Sequence, residues 1–161
     1  FANIRKFVIY LMSCNLSEIL VIGVATLAGL PLPLLPLQIL YLNLVTDVFP
    51  AFALGVGEGG ADVMRRPPRH AKEPILDGTH WLSITLFAAA ITTATLGAFI
   101  FALGSLAYAP EDAVTVAFLT LAFAQLWHVF NMRDAEDRVL FNEVTQNPWV
   151  WLAIALCLAL I

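Results

Sequence analysis

The sequence predicts an all-α, polytopic transmembrane helix bundle of about five spans, the last one truncated. Three observations carry this. The 161 residues are 60% hydrophobic and only 12% charged, with a mean hydropathy of +0.84, whereas a soluble domain carries about 25% charged residues. Apolar runs long enough to cross a bilayer alternate with punctuated turns and polar loops. All eight Lys and Arg fall on one side of the resulting serpentine. No basic stripe suits a nucleic acid, and no signal-peptide pattern opens the chain, because Arg5 and Lys6 precede a span too long for a signal h-region.

The first span is expected over 7–28, interrupted near its middle by Asn15 and Glu18, which sit three residues apart and so share a helix face. Gly29-Leu-Pro-Leu-Pro-Leu-Leu-Pro36 follows, an uncharged turn whose prolines end one helix and begin the next. The second span, 37–54, contains Asn43-Leu-Val-Thr46-Asp47-Val-Phe-Pro50. A polar loop over 55–80 begins with Gly55, Gly57, Gly59 and Gly60 and stiffens at Arg65-Arg-Pro-Pro-Arg69, where the prolines favour an extended backbone. Asp77 or Thr79 is placed to cap the third span, 81–103. In that span Ala89, Thr93 and Gly97 recur every four residues, a small-residue face that would admit a neighbouring helix closely.

The next loop holds Glu111 and Asp112 and no basic residue; the fourth span, 113–130, carries Gln125 and His128. After a polar loop over 131–147, Asn147 and Pro148 read as N-cap and first-turn proline of a fifth span, 149–161. Its 13 residues make about 20 Å of helix against about 30 Å of hydrocarbon, so the chain is expected to be an excerpt from a longer protein. The basic residues are Arg5, Lys6, Arg65, Arg66, Arg69, Lys72, Arg133 and Arg138. By the positive-inside rule they make the N-terminal end and the loops 55–80 and 131–147 cytoplasmic. Cys14 and Cys157 fall within apolar runs as small hydrophobes and receive no role.

Of twelve acidic residues, only Glu18 and Asp47 lie deep in spans. Each costs about 2.5–3.5 kcal/mol at a helix centre on insertion scales, so both should face inward and serve a function. Pro50 has no N–H to give the carbonyl of Thr46, which is expected to stay free beside the Asp47 carboxylate. Asn15, Glu18, Asn43, Thr46, Asp47 and Gln125 together supply oxygen donors, which suit a hard cation (Ca²⁺, Mg²⁺, Mn²⁺ or Na⁺) rather than Zn²⁺ or Cu⁺. No catalytic residue stands out. The plainer reading is that the amides join neighbouring helices, that Thr46 bonds back to its own helix, and that His128 is structural.

Asn15-Leu-Ser-Glu18, then Asn43-Leu-Val-Thr46-Asp47-x-x-Pro50, then Asp62-Val-Met-x-Arg66-Pro-Pro-Arg69 with Lys72-Glu73-Pro74, closely resemble the P-type cation-transporting ATPases. The nearest subgroup is the sarcoplasmic-reticulum type of calcium pump and its bacterial relatives. The resemblance covers nearly the whole chain, from the fifth to the ninth transmembrane helix of such a pump. It implies that Asn15 and Glu18 are cation ligands on the fifth helix and that Asn43, Thr46 and Asp47 are ligands on the sixth, with Asp47 bridging two ions. Gln125 falls where these pumps place a glutamate on the eighth helix. The loop 55–78 resembles the segment that couples the membrane sites to the phosphorylation domain, and the small face of the third span resembles the surface on which the fifth helix pivots.

Three departures bear on ion choice and stoichiometry. Gln125 replaces an acid, Val48 stands where many calcium pumps have glycine, and Gly60 and Arg65 stand where acids often occur. The function implied is the cation-binding and translocation part of an ATP-driven pump, with Ca²⁺ as the transported ion. ATP and Mg²⁺ belong to domains outside these residues, so this stretch alone should not hydrolyse ATP. Its partners would be the lipid bilayer and the remaining helices and phosphorylation domain of the same pump, in a bacterial plasma membrane. The alternatives are a pump for Na⁺ or Mn²⁺, and a passive or non-transporting helix module.

Overall fold

A computed structural model describes residues 2–57, 74–133 and 142–161. Among them the chain forms α1 (Ala2–Leu27), α2 (Pro36–Leu42), a π-helical turn (Asn43–Asp47), α3 (Val48–Gly55), α4 (Gly78–Gly104) and α5 (Pro110–His128). A 3₁₀ turn (Val129–Met132), α6 (Glu143–Gln146) and α7 (Pro148–Leu160) complete it, with no strand among the described residues. The α2–π–α3 segment is one apolar rod, Pro36–Gly55. With α1, α4 and the α5 rod it makes four helices long and apolar enough to cross a membrane, and α7 is a shorter apolar helix. The all-α, multi-span bundle is therefore the observed fold class. Asp62, the Arg65-Arg-Pro-Pro-Arg69 string, Lys72, Glu73 and Arg138 lie outside the described residues.

The helix ends follow from local chemistry. Gly29 takes φ +69°, and Leu30 and Gly29 donate to Ala25 O at 3.0 Å and Thr26 O at 3.1 Å, the paired bonds that close a helix on a left-handed residue. Pro36 opens α2, where its missing N–H costs nothing. Asp77, rather than Thr79, caps α4: its carboxylate accepts the His80 N–H at 3.0 Å. Asn147 Oδ1 accepts the Trp149 N–H at 2.9 Å at the start of α7. The loop 131–147 also contains the short α6, capped by Asn142 Oδ1 accepting from Val144 and Thr145 at 3.0 Å each.

Four contacts gather one end of the bundle. Asn3 Nδ2 donates to Gly57 O at 2.6 Å, Arg5 Nε to Ile75 O at 2.8 Å, and Asn147 Nδ2 to Ala53 O at 3.0 Å. Lys6 Nζ pairs with Glu143 at 2.8 Å. The starts of α1, α4 and α7 and the end of α3 therefore share a side, so long helices successive in the chain run antiparallel while the packed pair α1 and α4 run parallel. α1 begins at Ala2, five residues before the expected span, because Arg5 and Lys6 are carried on its first turns with their stems along the bundle.

α4 packs on both α1 and α5, and α7 lies along α3. The close approach of α1 and α4 does not use the predicted small face. Ala89, Thr93 and Gly97 are exposed, and a Cβ on Gly97 would meet no atom within 4 Å. The buried strip of α4 is instead Ile84, Ala88, Ile91, Thr92, Thr95 and Phe99. There Thr92 Oγ1 donates to Ser17 O of α1 at 3.3 Å. A helix of 3.6 residues per turn keeps positions 88, 92, 95 and 99 on one face, which a strict four-residue spacing drifts away from.

Two apolar clusters enclose a polar layer. Tyr10, Cys14, Ala51, Ala53, Leu54, Val129 and Val150 pack at the end that gathers the loop roots. Val21, Ala25, Leu34, Leu42, Ile91, Leu121 and Ala122 pack towards the other. Between them lie the buried Glu18, Thr46, Asp47 and Gln125. Leu27, Leu37 and Phe52, in contrast, are exposed on the outside of the bundle, as lipid-facing side chains are.

The Asp77 cap makes a pH-dependent contribution. The His80 backbone N–H holds this carboxyl below the usual aspartate range. A depressed folded value means that the stabilisation is present at neutral pH and is lost as pH falls through that lowered value. Asp77→Ala should lower the melting temperature in detergent at pH 7. The gap between variant and parent should close on acidification to below the ordinary aspartate pKa of about 3.9.

Candidate cation site

The six polar residues singled out in the spans converge in the layer between the apolar clusters. Glu18 is engaged on both oxygens: Oε1 accepts Gln125 Nε2 at 3.0 Å, and Oε2 accepts Asn43 Nδ2 at 3.1 Å. Gln125 Oε1 in turn faces Thr46 Oγ1 at 3.0 Å. Asp47 Oδ2 accepts Asn15 Nδ2 at 3.2 Å, while Oδ1 is buried with no hydrogen-bond partner. Thr46 and Gln125 are fully enclosed, Asn43 is half-buried, and Asn15 sits exposed on the rim.

The backbone explains how one rod serves two neighbours. Residues 43–47 form a π turn, with i→i+5 bonding and a wider circumference than an α turn. Asn43 and Asp47 then face Glu18 and Asn15 on α1, while Thr46 is rotated towards Gln125 on α5. In an α turn Thr46 would lie nearer the α1 face. Its hydroxyl also lies 2.8 Å from Leu42 O, so the plain back-bonding and the contact to Gln125 coexist at one oxygen.

The expectation that the Thr46 carbonyl stays free beside Asp47 is wrong. It accepts the Tyr10 hydroxyl of α1 at 2.8 Å, and the same hydroxyl lies 3.3 Å from Gln125 O on α5. The preceding carbonyl, Val45 O, accepts Cys157 Sγ of α7 at 3.2 Å. Pro50 has no N–H for Thr46 O, four residues before it, so that carbonyl takes its donor from another helix. Tyr10 and Cys157 were missed because nothing near them in sequence marks them. The available signal for Tyr10 was the proline, whose lost donor in a dry interior demands a substitute. The Tyr10 ring stacks on His128, with centroids 5.8 Å apart, and His128 meets Phe87 at 4.6 Å. His128 is thus part of an aromatic cluster.

The chemistry of the layer is that of two carboxylates held by amide hydrogens. Each acid accepts from at least one side-chain NH₂, so positive hydrogens occupy directions that a cation would take. A bound cation would require Asn43 and Gln125 to turn their oxygens inward. Asp47 has an unused, desolvated oxygen and therefore most to gain. It lies on a groove of about 620 Å³ lined by Phe7, Leu11, Asn15, Asn43, Asp47 and Phe52, among others. Among the described residues no three His, Cys, Asp or Glu side chains cluster to hold a metal. Cation binding here would rest on two acids assisted by neutral oxygens.

A family model described as "Cation transporting ATPase, C-terminus" matches residues 31–161. The chain belongs to the P-type cation-transporting ATPases. It is 44% identical over 154 residues to a "Calcium-transporting ATPase" of Bacillus subtilis, an alignment covering 93% of this chain and 17% of that protein. A "Calcium-transporting ATPase 1" of Bacillus cereus is 37% identical over 166 residues, covering 93% and 18%. One of Lactococcus lactis is 35% identical over 158 residues, covering 98% and 18%. The chain therefore spans less than a fifth of the length of these relatives. With its four long apolar helices it is a multi-pass membrane segment of this family.

Gln125 is the residue that ties Glu18 to Thr46 in this chain. Gln125→Leu keeps the volume but leaves Glu18 Oε1 without its donor, and should cost about 1–3 kcal/mol of stability. The midpoint of denaturation in detergent measures it. Phe123→Leu, at an exposed position on the same helix and outside the network, serves as the control and should shift the midpoint far less.

Proposed function

We propose that this segment is the C-terminal transmembrane domain of an ATP-driven pump, and that it binds and moves Ca²⁺ through Asn15, Glu18, Asn43, Thr46, Asp47 and Gln125. The observation that carries the proposal is the buried, partnerless Asp47 oxygen at the π turn, beside a second buried acid, within a chain similar to calcium-transporting ATPases. Hard oxygen donors suit Ca²⁺, and two carboxylates balance one divalent charge. ATP hydrolysis, with its Mg²⁺, is the work of parts of the pump outside these residues, and the segment alone would not perform it. The residues 55–80 meet the phosphorylation domain, and they lie with the N-terminal end and the loop 131–147 on the cytoplasmic side of a bacterial plasma membrane. The placement of all eight basic residues supports that orientation.

In the pump, a conformational change driven by phosphorylation would alternately present Glu18 and Asp47 to the two sides. With the cation gone, the amides of Asn15, Asn43 and Gln125 return to the carboxylates, so neither acid faces the dry interior without a donor. The amide at 125 favours a second reading within the family, a pump for Na⁺ or Mn²⁺, because an acid at that position would add charge for a second divalent ion.

The test is ATP-dependent ⁴⁵Ca uptake into membrane vesicles by the full-length pump, with phosphoenzyme formation titrated against Ca²⁺, Mn²⁺ and Na⁺ in turn. We expect Ca²⁺ to support phosphorylation from ATP and Asp47→Ala to abolish uptake. Undiminished uptake by Asp47→Ala would eliminate the site. Phosphorylation that ignores Ca²⁺ but answers to Na⁺ or Mn²⁺ would reassign the ion.

A further inference from the structure

We propose that Tyr10 is a positioning residue of the cation site: its hydroxyl stands in for the backbone N–H that Pro50 lacks and fixes the Thr46–Asp47 peptide against α1 and α5. The inference rests on the site proposed above and adds to it a residue that touches no cation.

Four observations converge on it. First, Pro50 interrupts the rod four residues after Thr46, so the Thr46 carbonyl has lost the donor that a continuous helix would supply. Second, Tyr10 Oη lies 2.8 Å from that carbonyl, and the pair is buried. Third, the same hydroxyl is 3.3 Å from the carbonyl of Gln125. One phenol on α1 therefore touches the backbone of the two other elements that bear the polar layer, at the residue next to Asp47 in one case and at Gln125 itself in the other. Fourth, the ring cannot swing away: Tyr10 is 0% exposed and stacked on His128, which packs on Phe87.

The hydroxyl acts through geometry. The Thr46 carbonyl belongs to the peptide plane that joins Thr46 to Asp47, so holding that oxygen sets the direction in which the Asp47 side chain leaves the backbone. Holding Gln125 O at the same point keeps the amide that spans Glu18 and Thr46 at a constant distance from the π turn. α1 itself carries Asn15 and Glu18, five and eight residues beyond Tyr10. The three ligand-bearing elements thus have a common reference atom. A tyrosine kept only for its bulk would need the ring and not the hydroxyl, which is the distinction a test can use.

In the full-length pump, Tyr10→Phe keeps the ring on His128 and removes the donor. The Ca²⁺ concentration giving half-maximal phosphorylation from ATP should rise about 2- to 10-fold, the value of one hydrogen bond. The maximal phosphoenzyme level and phosphorylation from inorganic phosphate without Ca²⁺ should stay near the parent's. A half-maximal concentration equal to the parent's overturns the inference while leaving the proposed site intact, provided that Asp47→Ala abolishes the response in parallel. A parent pump whose phosphoenzyme ignores Ca²⁺ overturns the calcium proposal and this inference with it. If Tyr10→Phe does not accumulate as folded protein, the pair Tyr10→Phe/Pro50→Ala decides. Alanine at 50 restores an N–H to the Thr46 carbonyl, and recovery of folded protein supports the inference, whereas failure to recover overturns it.

Discussion

A peptide carbonyl in a dry interior must have a donor, and hydrocarbon has none to offer. Pro50 removes one from the middle of a buried rod, and much of the surrounding arrangement answers that removal. The rod relaxes into a π turn over Asn43–Asp47. α1 supplies the Tyr10 hydroxyl to Thr46 O, and α7 supplies the Cys157 thiol to Val45 O. These donors come from opposite ends of the chain, 36 and 112 residues away. The proline therefore helps decide which helices can flank the rod at this height, and the same wide turn splits the rod's polar side chains between α1 and α5.

The polar layer has a second constraint, that two acids must be enclosed without an enclosed counter-ion of the protein's own. No Lys or Arg reaches them among the described contacts; the donors are the amides of Asn15, Asn43 and Gln125. An amide hydrogen carries partial positive charge and can be withdrawn by rotating one torsion, which a salt-bridged Lys or Arg could not match without leaving the site. The two acids are held unequally. Glu18 has a donor on each oxygen, whereas Asp47 keeps one oxygen unpartnered. In the site proposed above, such asymmetry would give a cation a preferred point of first contact.

The fold was legible because hydropathy and charge placement are long-range averages, robust to local error. The helix caps at Asp77 and Asn147 were legible because the rule that governs them spans three residues. The six polar residues could be picked out by the cost of placing them in a span, but not their pairing. Which amide meets which acid depends on the rotation of each helix, and the π turn changes that rotation within five residues. The fate of the Thr46 carbonyl was half legible: Pro50 announces the missing donor, while the replacement lies on another helix. The face of α4 was misjudged because Ala89, Thr93 and Gly97 satisfy a spacing, while the adjoining strip of Ala88, Thr92 and Thr95 satisfies the packing. α6 escaped notice because a four-residue helix has too few positions to show a period.

The grip of α1 on both roots of the segment between Gly57 and Pro74 has a mechanical consequence. Asn3 holds the carbonyl at the outgoing root and Arg5 holds one at the returning root, from neighbouring positions on the same turn. A displacement of either root, which the backbone carries into α3 or α4, is therefore also shared with one further place, the tip of α1. From Asn3 to Glu18 is about 22 Å of helix at ~1.5 Å per residue, stiff along its axis and packed against α4 on its flank. Such a rod transmits displacement as translation or twist with little bending, and the first carboxylate it carries is the one already held by two amides.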